Sequence, residues 1–271
     1  MIQDILPHHF INAYHPAPPQ AEDIVFCYTE KGICFKDSSS PYLVSDLEGH
    51  QDLTYLFRID ERNYFLLEDA SLLKDPTVLP LRAFRRFQPD YLAFAAVTGS
   101  HLAQWMRENR YCGRCGSSMK QDEKERAMRC PACNMIVYPR ISPAVIVAVL
   151  NDENRLLVTK YADRPHQKYA LVAGYNEIGE TIEETVLREV KEETGLDVTA
   201  LKYYKSQPWS FSGSLLFGFW CRVKGSDHIT LDETELRLAR WADRDEELDA
   251  DGTVSLTSEM IRRFQDGKED I

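Results

Sequence analysis

The stretch Gly174–Leu196 reads GYNEIGETIEETVLREVKEETGL, and it decides the fold of the second half of the chain. Between Thr181 and Glu193 it contains no glycine or proline. Aliphatic side chains recur there every four residues, at Ile182, Val186 and Val190. This spacing predicts a helix with one buried stripe. Thr181 with Glu184 three residues later predicts a capping box, and Gly195 predicts the end of the helix.

Acidic side chains follow a second face of this predicted helix. Glu189, Glu192 and Glu193 stand at i, i+3 and i+4, so their carboxylates converge on one side. Such an oxygen-rich cluster suits a hard divalent cation such as Mg²⁺ or Mn²⁺. Arg188 is placed to pair with a neighbouring glutamate, and Glu180 is either a further ligand or an anchor for the preceding loop. The alternative interpretation is a solvated acidic helix face.

The whole pattern resembles the Nudix box, with no departure inside it. Its fixed positions are Gly174, Glu180, Arg188, Glu189, Glu192, Glu193 and Gly195. The resemblance implies an α+β Nudix fold, in which helices sandwich a mixed β-sheet. It also implies metal-dependent hydrolysis of a nucleoside diphosphate linked to a second group, and leaves that group unspecified.

A second motif consists of two Cys-x-x-Cys pairs separated by fourteen residues. Its cysteines are Cys112, Cys115, Cys130 and Cys133. Four thiolates at this spacing are typical of a closed tetrahedral Zn²⁺ site with a structural role. The other cysteines, Cys27, Cys34 and Cys221, lie in apolar surroundings and are expected to be buried thiols in a reducing compartment.

Length and charge limit the classes of function. A chain of 271 residues favours more than one domain, and its net charge of −11 argues against a broad nucleic-acid-binding surface. We find no apolar run long enough to span a membrane and no secretory signal at the N-terminus, so we expect a cytoplasmic protein.

The predicted elements divide the chain into three parts. Residues 1–108 are expected to form an accessory, Nudix-like α+β domain, residues 109–140 the zinc ribbon, and residues 141–271 the catalytic Nudix domain. In the first part the sequence predicts strands within 23–34 and 63–67 and a helix over 89–110.

In the third part, buried or alternating apolar runs predict strands, and one more helix closes the chain. The predicted strands cover 144–150, 155–161, 198–205, 215–223 and 239–242, and the helix covers 255–265. The segment 206–214 is interpreted as a loop.

This segment narrows the resemblance within the Nudix hydrolases. Ser206-Gln-Pro-Trp-Ser-Phe-Ser-Gly-Ser214 resembles the signature of the NADH pyrophosphatase subfamily, whose members also carry a four-cysteine ribbon followed by Tyr-Pro-Arg. Ser210 and Ser212 depart from the signature, which has prolines there, so this segment is less stiff. By motif position the resemblance implies dinucleotide-binding residues at Tyr138, Tyr175, Gln207, Trp209, Phe211 and Ser214.

The resemblance further implies a homodimer that acts on NAD(H) and on RNA carrying an NAD cap. Glu235 matches a further catalytic and metal-binding carboxylate outside the box. The implied reaction begins when Glu193 or Glu235 removes a proton from water, and the cation held by the glutamates neutralises the pyrophosphate. The products are AMP and nicotinamide mononucleotide, or a 5′-monophosphate RNA end.

Three alternatives remain open on sequence grounds. ADP-ribose or another nucleotide sugar could be the main substrate. A Nudix-fold sensor that binds a nucleotide without hydrolysing it is disfavoured by the intact glutamates and by the absence of a basic recognition helix. The zinc ribbon could also make the protein chiefly an RNA-binding module.

Overall fold

The computed structural model describes residues 1–49, 52–162, 168–248, 254–269 and 271. Its contacts divide the chain into two compact units. One unit, here the Nudix-box unit, comprises Met1, Ile141–Trp209 and Ser214–Ile271, and the other, the N-terminal unit, comprises Ile2–Arg140 and Ser210–Gly213. None of the helices in the described part of the chain combines the length and the hydropathy that crossing a bilayer requires.

The N-terminal unit contains a seven-stranded sheet and one long helix. Along the chain its strands are β1 (Phe10–Ile11), β2 (Ile24–Thr29), β3 (Gly32–Phe35), β4 (Tyr42–Leu43), β5 (Leu53–Ile59), β6 (Arg62–Leu67) and β7 (Thr77–Leu79), and the helix α1 is Asp90–Glu108. The order in the sheet is β1-β5-β6-β2-β3-β7, with β4 paired to β2. The predicted helix is confirmed, and it begins directly after Pro89.

A small three-stranded sheet surrounds the four predicted zinc ligands. Its strands are β8 (Lys120–Gln121), β9 (Met128–Arg129) and β10 (Ile136–Val137), in the order β10-β9-β8. Each strand has only two residues, so the ladder contributes few hydrogen bonds, and a sheet this short depends on other crosslinks.

The Nudix-box unit is built on a six-stranded mixed sheet. Its strands are β11 (Ser142–Leu150), β12 (Leu156–Tyr161), β13 (Val172–Tyr175), β14 (Val198–Trp209), β15 (Ser214–Val223) and β16 (Leu236–Ala242). Its helices are α2 (Ile182–Thr194) and α3 (Leu256–Gln265). The order is β14-β15-β11-β12-β16, with β13 paired to β11, and β11 runs parallel to β15. This arrangement confirms the predicted α+β class with a mixed sheet.

Two hydrophobic cores lie on opposite faces of this sheet, because side chains alternate along β11. Val145, Val147 and Val149 pack in the same core as Val186 and Val190 of α2. On the other face, the alternate residues Ile146, Ala148 and Leu150 pack with α3 residues Leu256, Met260, Ile261 and Phe264. The helices therefore sandwich the sheet, as the sequence predicts.

The prediction of a loop over 206–214 is wrong for its first four residues and for its last, Ser214, which begins β15. β14 continues to Trp209, with Gln207 opposite Leu216 and Trp209 opposite Ser214 of β15. Pro208 lacks an amide hydrogen but is tolerated because β14 lies at the edge of the sheet. Only Ser210–Gly213 connects the two strands, and Gly213 has a positive φ of 66°.

Candidate active site and metal centre

Helix α2 carries most of the predicted catalytic residues, and its ends follow the sequence signals. The amide of Glu184 donates to Oγ1 of Thr181 at 3.2 Å, and the amide of Thr181 donates to the Glu184 carboxylate at 2.7 Å. At the other end Gly195 adopts the left-handed conformation, with φ of 72°. The predicted capping box and glycine stop are confirmed, so the helix register is fixed at both ends.

Gly174 of β13 packs directly against the carboxyl group of Glu189. A Cβ atom at position 174 would lie 1.9 Å from Cδ of Glu189 and about as close to both carboxylate oxygens. The backbone of Gly174 does not have a positive φ, so its conformation does not require glycine. Glycine is required because a side chain would prevent the close approach of the Glu189 carboxyl group. This contact brings the Glu189 carboxyl against the strand and leaves the residue only 8% exposed.

Glu193 lies one turn further along α2 and is still more buried, at 2% exposure. The amide of Ala173 donates a hydrogen bond to its carboxylate, while the other oxygen, Oε2, has no hydrogen-bond partner among the described residues. Burial, together with the nearby carboxylates of Glu189 and Glu235, raises the pKa of Glu193 to about 8. An unpartnered buried carboxylate oxygen is costly to keep unless it serves a ligand or a proton.

The charge of Glu235 also affects the pKa of Glu189. Burial raises the pKa of Glu189, Arg188 opposes that rise, and Glu192 and Glu235 add to it. Glu235, which precedes β16, therefore lies close enough to affect both buried glutamates of α2. The structure thus brings Glu235 to the box from a distant part of the sequence.

Arg188 neutralises part of the charge of this acidic cluster through several hydrogen bonds of its guanidinium group. Its Nε donates to Oε1 of Glu180 at 2.6 Å, and its Nη2 donates to Oε2 of Glu180 at 3.0 Å and to the carbonyl oxygen of Tyr175 at 2.9 Å. Its Nη1 donates to Glu189 at 2.8 Å and to Glu192 at 2.9 Å. Bonding to Arg188 lowers the pKa of Glu180 to about 2, so this side chain is an ionised loop anchor.

The donor set fits a divalent cation by its chemistry. Several carboxylates surround a single guanidinium, and one buried oxygen of Glu193 has no hydrogen-bond partner in the described part of the chain. Hard cations prefer such oxygen ligands. Among the described residues, the four cysteine sulfurs form the only group of three or more potential ligand atoms that all lie within 4.8 Å of one another. The carboxylate oxygens of the acidic cluster are therefore further apart than that. Arg188 bridges Glu189 and Glu192, which accounts for the wider spacing of the carboxylates.

The predicted dinucleotide-binding residues fall into two sets. Tyr175 is 52% exposed at the end of β13, and its hydroxyl lies 3.3 Å from Oγ of Ser214. Because Tyr175 also accepts the bond from Arg188 through its carbonyl oxygen, this pair adjoins the acidic cluster within one unit. Tyr138 and Phe211 belong to the N-terminal unit. There the hydroxyl of Tyr138 donates to Glu125 at 2.7 Å.

Gln207 is fully buried, and its amide group is engaged with the start of α3. Its Nε2 donates to the carbonyl oxygen of Val254 at 2.8 Å, and its Oε1 accepts from the amide of Leu256 at 2.7 Å. Both polar ends of the side chain are thus satisfied within the protein. Trp209, the last residue of β14, is half-buried.

The four cysteines predicted to bind zinc come together as expected. Their sulfur atoms all lie within 4.8 Å of one another, and the separations Cys112–Cys133 and Cys115–Cys130 are both 3.5 Å. A tetrahedron with Zn–S bonds of about 2.3 Å has edges of about 3.8 Å, so the cluster is close to the size that the ion requires. Hydrogen bonding with Ser117 lowers the pKa of Cys115 to about 6, which favours the thiolate that binds metal.

Two polar residues of this site are missed by the sequence analysis. Asn176 and Thr185 contact one another and Glu180. Neither stands at a fixed position of the box, and their side-chain types are ordinary for a loop and a helix. The only sign in the sequence is a threonine among the polar residues next to the buried stripe of α2. This sign is too weak to assign a role.

Comparison with known families agrees with these two sites. The family model described as "NUDIX domain" matches residues 140–264, and the family model described as "NADH pyrophosphatase zinc ribbon domain" matches residues 107–138. The first contains the acidic cluster, and the second contains the four cysteines.

Three curated relatives, each named "NAD-capped RNA hydrolase NudC", are similar to this chain. The relative from Vibrio atlanticus is 35% identical over 184 residues, which cover 67% of this chain and 66% of the relative. That from Pseudomonas aeruginosa is 39% identical and covers 60% and 58%, and that from Shigella flexneri is 40% identical and covers 54% and 56%. The chain therefore spans between 56% and 66% of the length of these relatives.

The order of the two matched domains is also the order that the sequence motifs predict. Together with the geometry of the acidic cluster and the cysteine cluster, the matches show that the chain combines a zinc ribbon of the NADH pyrophosphatase type, residues 107–138, with a Nudix domain, residues 140–264.

Proposed function

We propose that this protein hydrolyses the pyrophosphate bond of NAD(H), giving AMP and nicotinamide mononucleotide, and that it removes NAD caps from the 5′ ends of RNA. The hydrolysis is supported by the buried carboxylates of Glu189 and Glu193 beside Arg188. The NAD-containing substrate class is supported by the type of zinc ribbon and by the names of the three relatives. The observation that carries the proposal is the unpartnered oxygen of Glu193 inside the acidic cluster.

Glu189, Glu192, Glu193 and Glu235 would hold Mg²⁺ or Mn²⁺. Such a cation neutralises the charge of a bound pyrophosphate and lowers the pKa of water. Glu193 accepts the proton of the attacking water through its free oxygen, with Glu235 as the neighbouring carboxylate. Arg188 orients the carboxylates of Glu189 and Glu192, because it donates to both. Burial of the two central glutamates excludes bulk water, which strengthens every charge interaction in the site.

The dinucleotide is bound by residues around this cluster in our proposal. Tyr175 and Ser214 lie together next to Arg188, where an exposed aromatic ring can stack on a base or nicotinamide ring. Trp209 of the same unit contributes further aromatic surface. For Phe211 and Tyr138 of the N-terminal unit, the proposed binding role rests on motif position alone. Gln207 acts by holding the start of α3, since its amide is already satisfied there.

The assembly and the setting of the enzyme complete the proposal. Residues 1–108 act as the accessory domain, residues 109–140 as the zinc ribbon, and residues 141–271 as the catalytic domain of a homodimer. Zn²⁺ has a structural role because four thiolates leave no open position for water. Thiolates for zinc must stay reduced, which supports a cytoplasmic location.

A substrate panel tests the function directly. The protein is incubated with NADH, NAD-capped RNA and ADP-ribose at equal concentrations, with and without Mn²⁺, and the products are separated by chromatography. We expect cation-dependent release of reduced nicotinamide mononucleotide from NADH and of nicotinamide mononucleotide from NAD-capped RNA. Faster turnover of ADP-ribose than of either would contradict the substrate assignment and favour a nucleotide-sugar hydrolase.

A pair of matched variants ties this activity to the cluster. Glu192→Gln should fold normally yet lose about 100-fold or more in kcat, because removal of one charge-stabilising group typically costs that much. The control is Glu183→Gln, which makes the same change at an exposed position in the first turn of the same helix. Equal activity of the two variants would refute the site.

A further inference from the structure

Asn176 and Thr185 form a chain of hydrogen bonds that ends on Glu180. Nδ2 of Asn176 donates to Oγ1 of Thr185 at 2.7 Å and to the carbonyl oxygen of Glu180 at 3.2 Å. Oγ1 of Thr185 lies 3.0 Å from Oε2 of Glu180 and 3.2 Å from the carbonyl oxygen of Thr181. We assign its one proton to the carboxylate, which is the closer and the charged acceptor. A hydroxyl can accept one bond while it donates another, so the three groups can be satisfied together.

These bonds hold the loop before α2 in one conformation. The amide of Asn176 donates to the carbonyl oxygen of Pro143 at 3.1 Å, which anchors the loop to β11. The amide of Glu177 donates to Oε2 of Glu180 at 3.1 Å, so this carboxylate also closes the turn of its own loop. Thr185 is fully buried, and loss of its hydroxyl would leave the Asn176 donor without its closest acceptor.

Glu180 in turn sets the position of Arg188, which contacts the carboxylates assigned to the cation. Two hydrogen bonds of the guanidinium, from Nε and Nη2, go to Glu180, and its Nη1 donates to both Glu189 and Glu192. If Glu180 moved away, Arg188 would lose its strongest partner and would pair more closely with Glu189 and Glu192. A guanidinium in that position competes with a cation for the same oxygens.

We propose that Asn176 and Thr185 are positioning residues, a clasp that fixes Glu180 and, through it, Arg188, so that Glu189 and Glu192 stay available to a divalent cation. This inference rests on the proposed function, because it assumes that these carboxylates bind the cation. It assigns the clasp no contact with the substrate.

The test measures Mn²⁺ binding without substrate, by titration followed with electron paramagnetic resonance of the free ion. Thr185→Val keeps the shape of the side chain and removes only the hydroxyl. We expect it to weaken Mn²⁺ binding about tenfold, the lower end of the range for groups that orient metal ligands. Thr185→Ser, which keeps the hydroxyl, should bind Mn²⁺ as the unaltered protein does.

Thr194 on the same helix provides a matched control. It is equally buried, and its hydroxyl donates to the carbonyl oxygen of Val190 at 2.6 Å instead of to Glu180. Thr194→Val should leave Mn²⁺ binding unchanged. If it weakens binding as much as Thr185→Val does, the effect is a general one of helix stability, and the clasp is refuted.

Two further measurements keep the proposal testable if Thr185→Val folds poorly. Asn176→Ala alters a half-exposed loop residue and should weaken Mn²⁺ binding by a similar factor, and the double variant should be no weaker than either single one. In the metal-free protein, hydrogen exchange at the amides of Glu177 and Glu180 should become faster in each variant. Additive losses, or unchanged binding in both single variants, would overturn the inference. Because no substrate is present, weaker binding supports the clasp even if NADH is not hydrolysed.

Discussion

Replacing Gly174 by alanine should separate folding from catalysis. The added Cβ would lie 1.9 Å from Cδ of Glu189, whereas ordinary contacts begin near 3.4 Å, so the carboxyl must move by about 1.5 Å. The backbone at Gly174 accepts alanine without a positive φ, and the group that must move is the end of a flexible side chain. The free energy of unfolding should therefore change by no more than about 1 kcal/mol.

Activity should respond far more strongly than stability to this change. A misplacement of about 1 Å in a catalytic group can cost about 100-fold in rate, and Glu189 is displaced by more than that. The assay is kcat/KM for NADH with saturating Mn²⁺, together with thermal unfolding of the same preparation. We expect a loss of about 100-fold in kcat/KM with a melting temperature within a few degrees of the unaltered protein.

A second substitution tests whether the steric contact is the cause. Glu189→Asp shortens the side chain by one methylene, so in the Gly174→Ala background it should relieve the overlap and lose less activity than it does alone. Full activity of Gly174→Ala would show that the position of the Glu189 carboxyl is unimportant. If the loss of activity in the double variant equals the product of the losses in the two single variants, the steric overlap is not the cause of the loss in Gly174→Ala.

Three other predictions follow from the site and its supports. The pKa of Glu193 is raised from the ordinary value of 4.5 to about 8 in the folded protein. Between these two pH values the folded protein therefore binds more protons than the unfolded chain, so the stability of the metal-free protein should fall as pH rises from about 4.5 to about 8. Glu193→Gln should flatten this slope in denaturant titrations, and an unchanged slope would locate the proton elsewhere. Cys130→Ser should abolish stoichiometric zinc and lower the melting temperature, as measured by metal analysis and calorimetry, because a structural site contributes folding free energy; a variant that still binds one zinc would contradict the ligand set. Gln207→Leu should destabilise the protein by about 1–3 kcal/mol, since the amide of Leu256 loses its acceptor, and denaturation at unchanged midpoint would exclude that role.

Much of helix α2 is predictable because its signals are local. The capping box, the aliphatic stripe and the glycine stop all act within a few residues, and the structure confirms them at Thr181 and Gly195. The cysteine cluster is predictable for a similar reason, since the ligand spacing itself encodes the turns. The approach of Cys112 and Cys115 to Cys130 and Cys133 agrees with that spacing.

Burial of Glu189 and Glu193 is not predictable from the helix alone. The sequence places them on a polar face, where glutamates are normally solvated. Their burial depends on β13, which brings Gly174 and the amide of Ala173 against them from another element. A contact between elements of this kind leaves no periodic trace in the sequence.

The extension of β14 is missed for a different reason. Pro208 and the serines around it are turn signals in isolation. Register with β15 overrides them, because ladder pairing continues as far as Trp209 opposite Ser214. The N-terminal sheet is similarly underpredicted, since its parallel pairing of β2 with β6 joins residues about 40 positions apart, as for Ile24 and Tyr64.

Strand β11 also constrains how this fold can change over evolutionary time. Its odd-numbered valines face one helix and its even-numbered residues face the other. Conservative replacements can therefore accumulate independently on each side. An inserted or deleted residue between Ser142 and Leu150 would instead swap the two sets of side chains, so we expect homologous chains to vary freely in composition along this strand while its length stays constant.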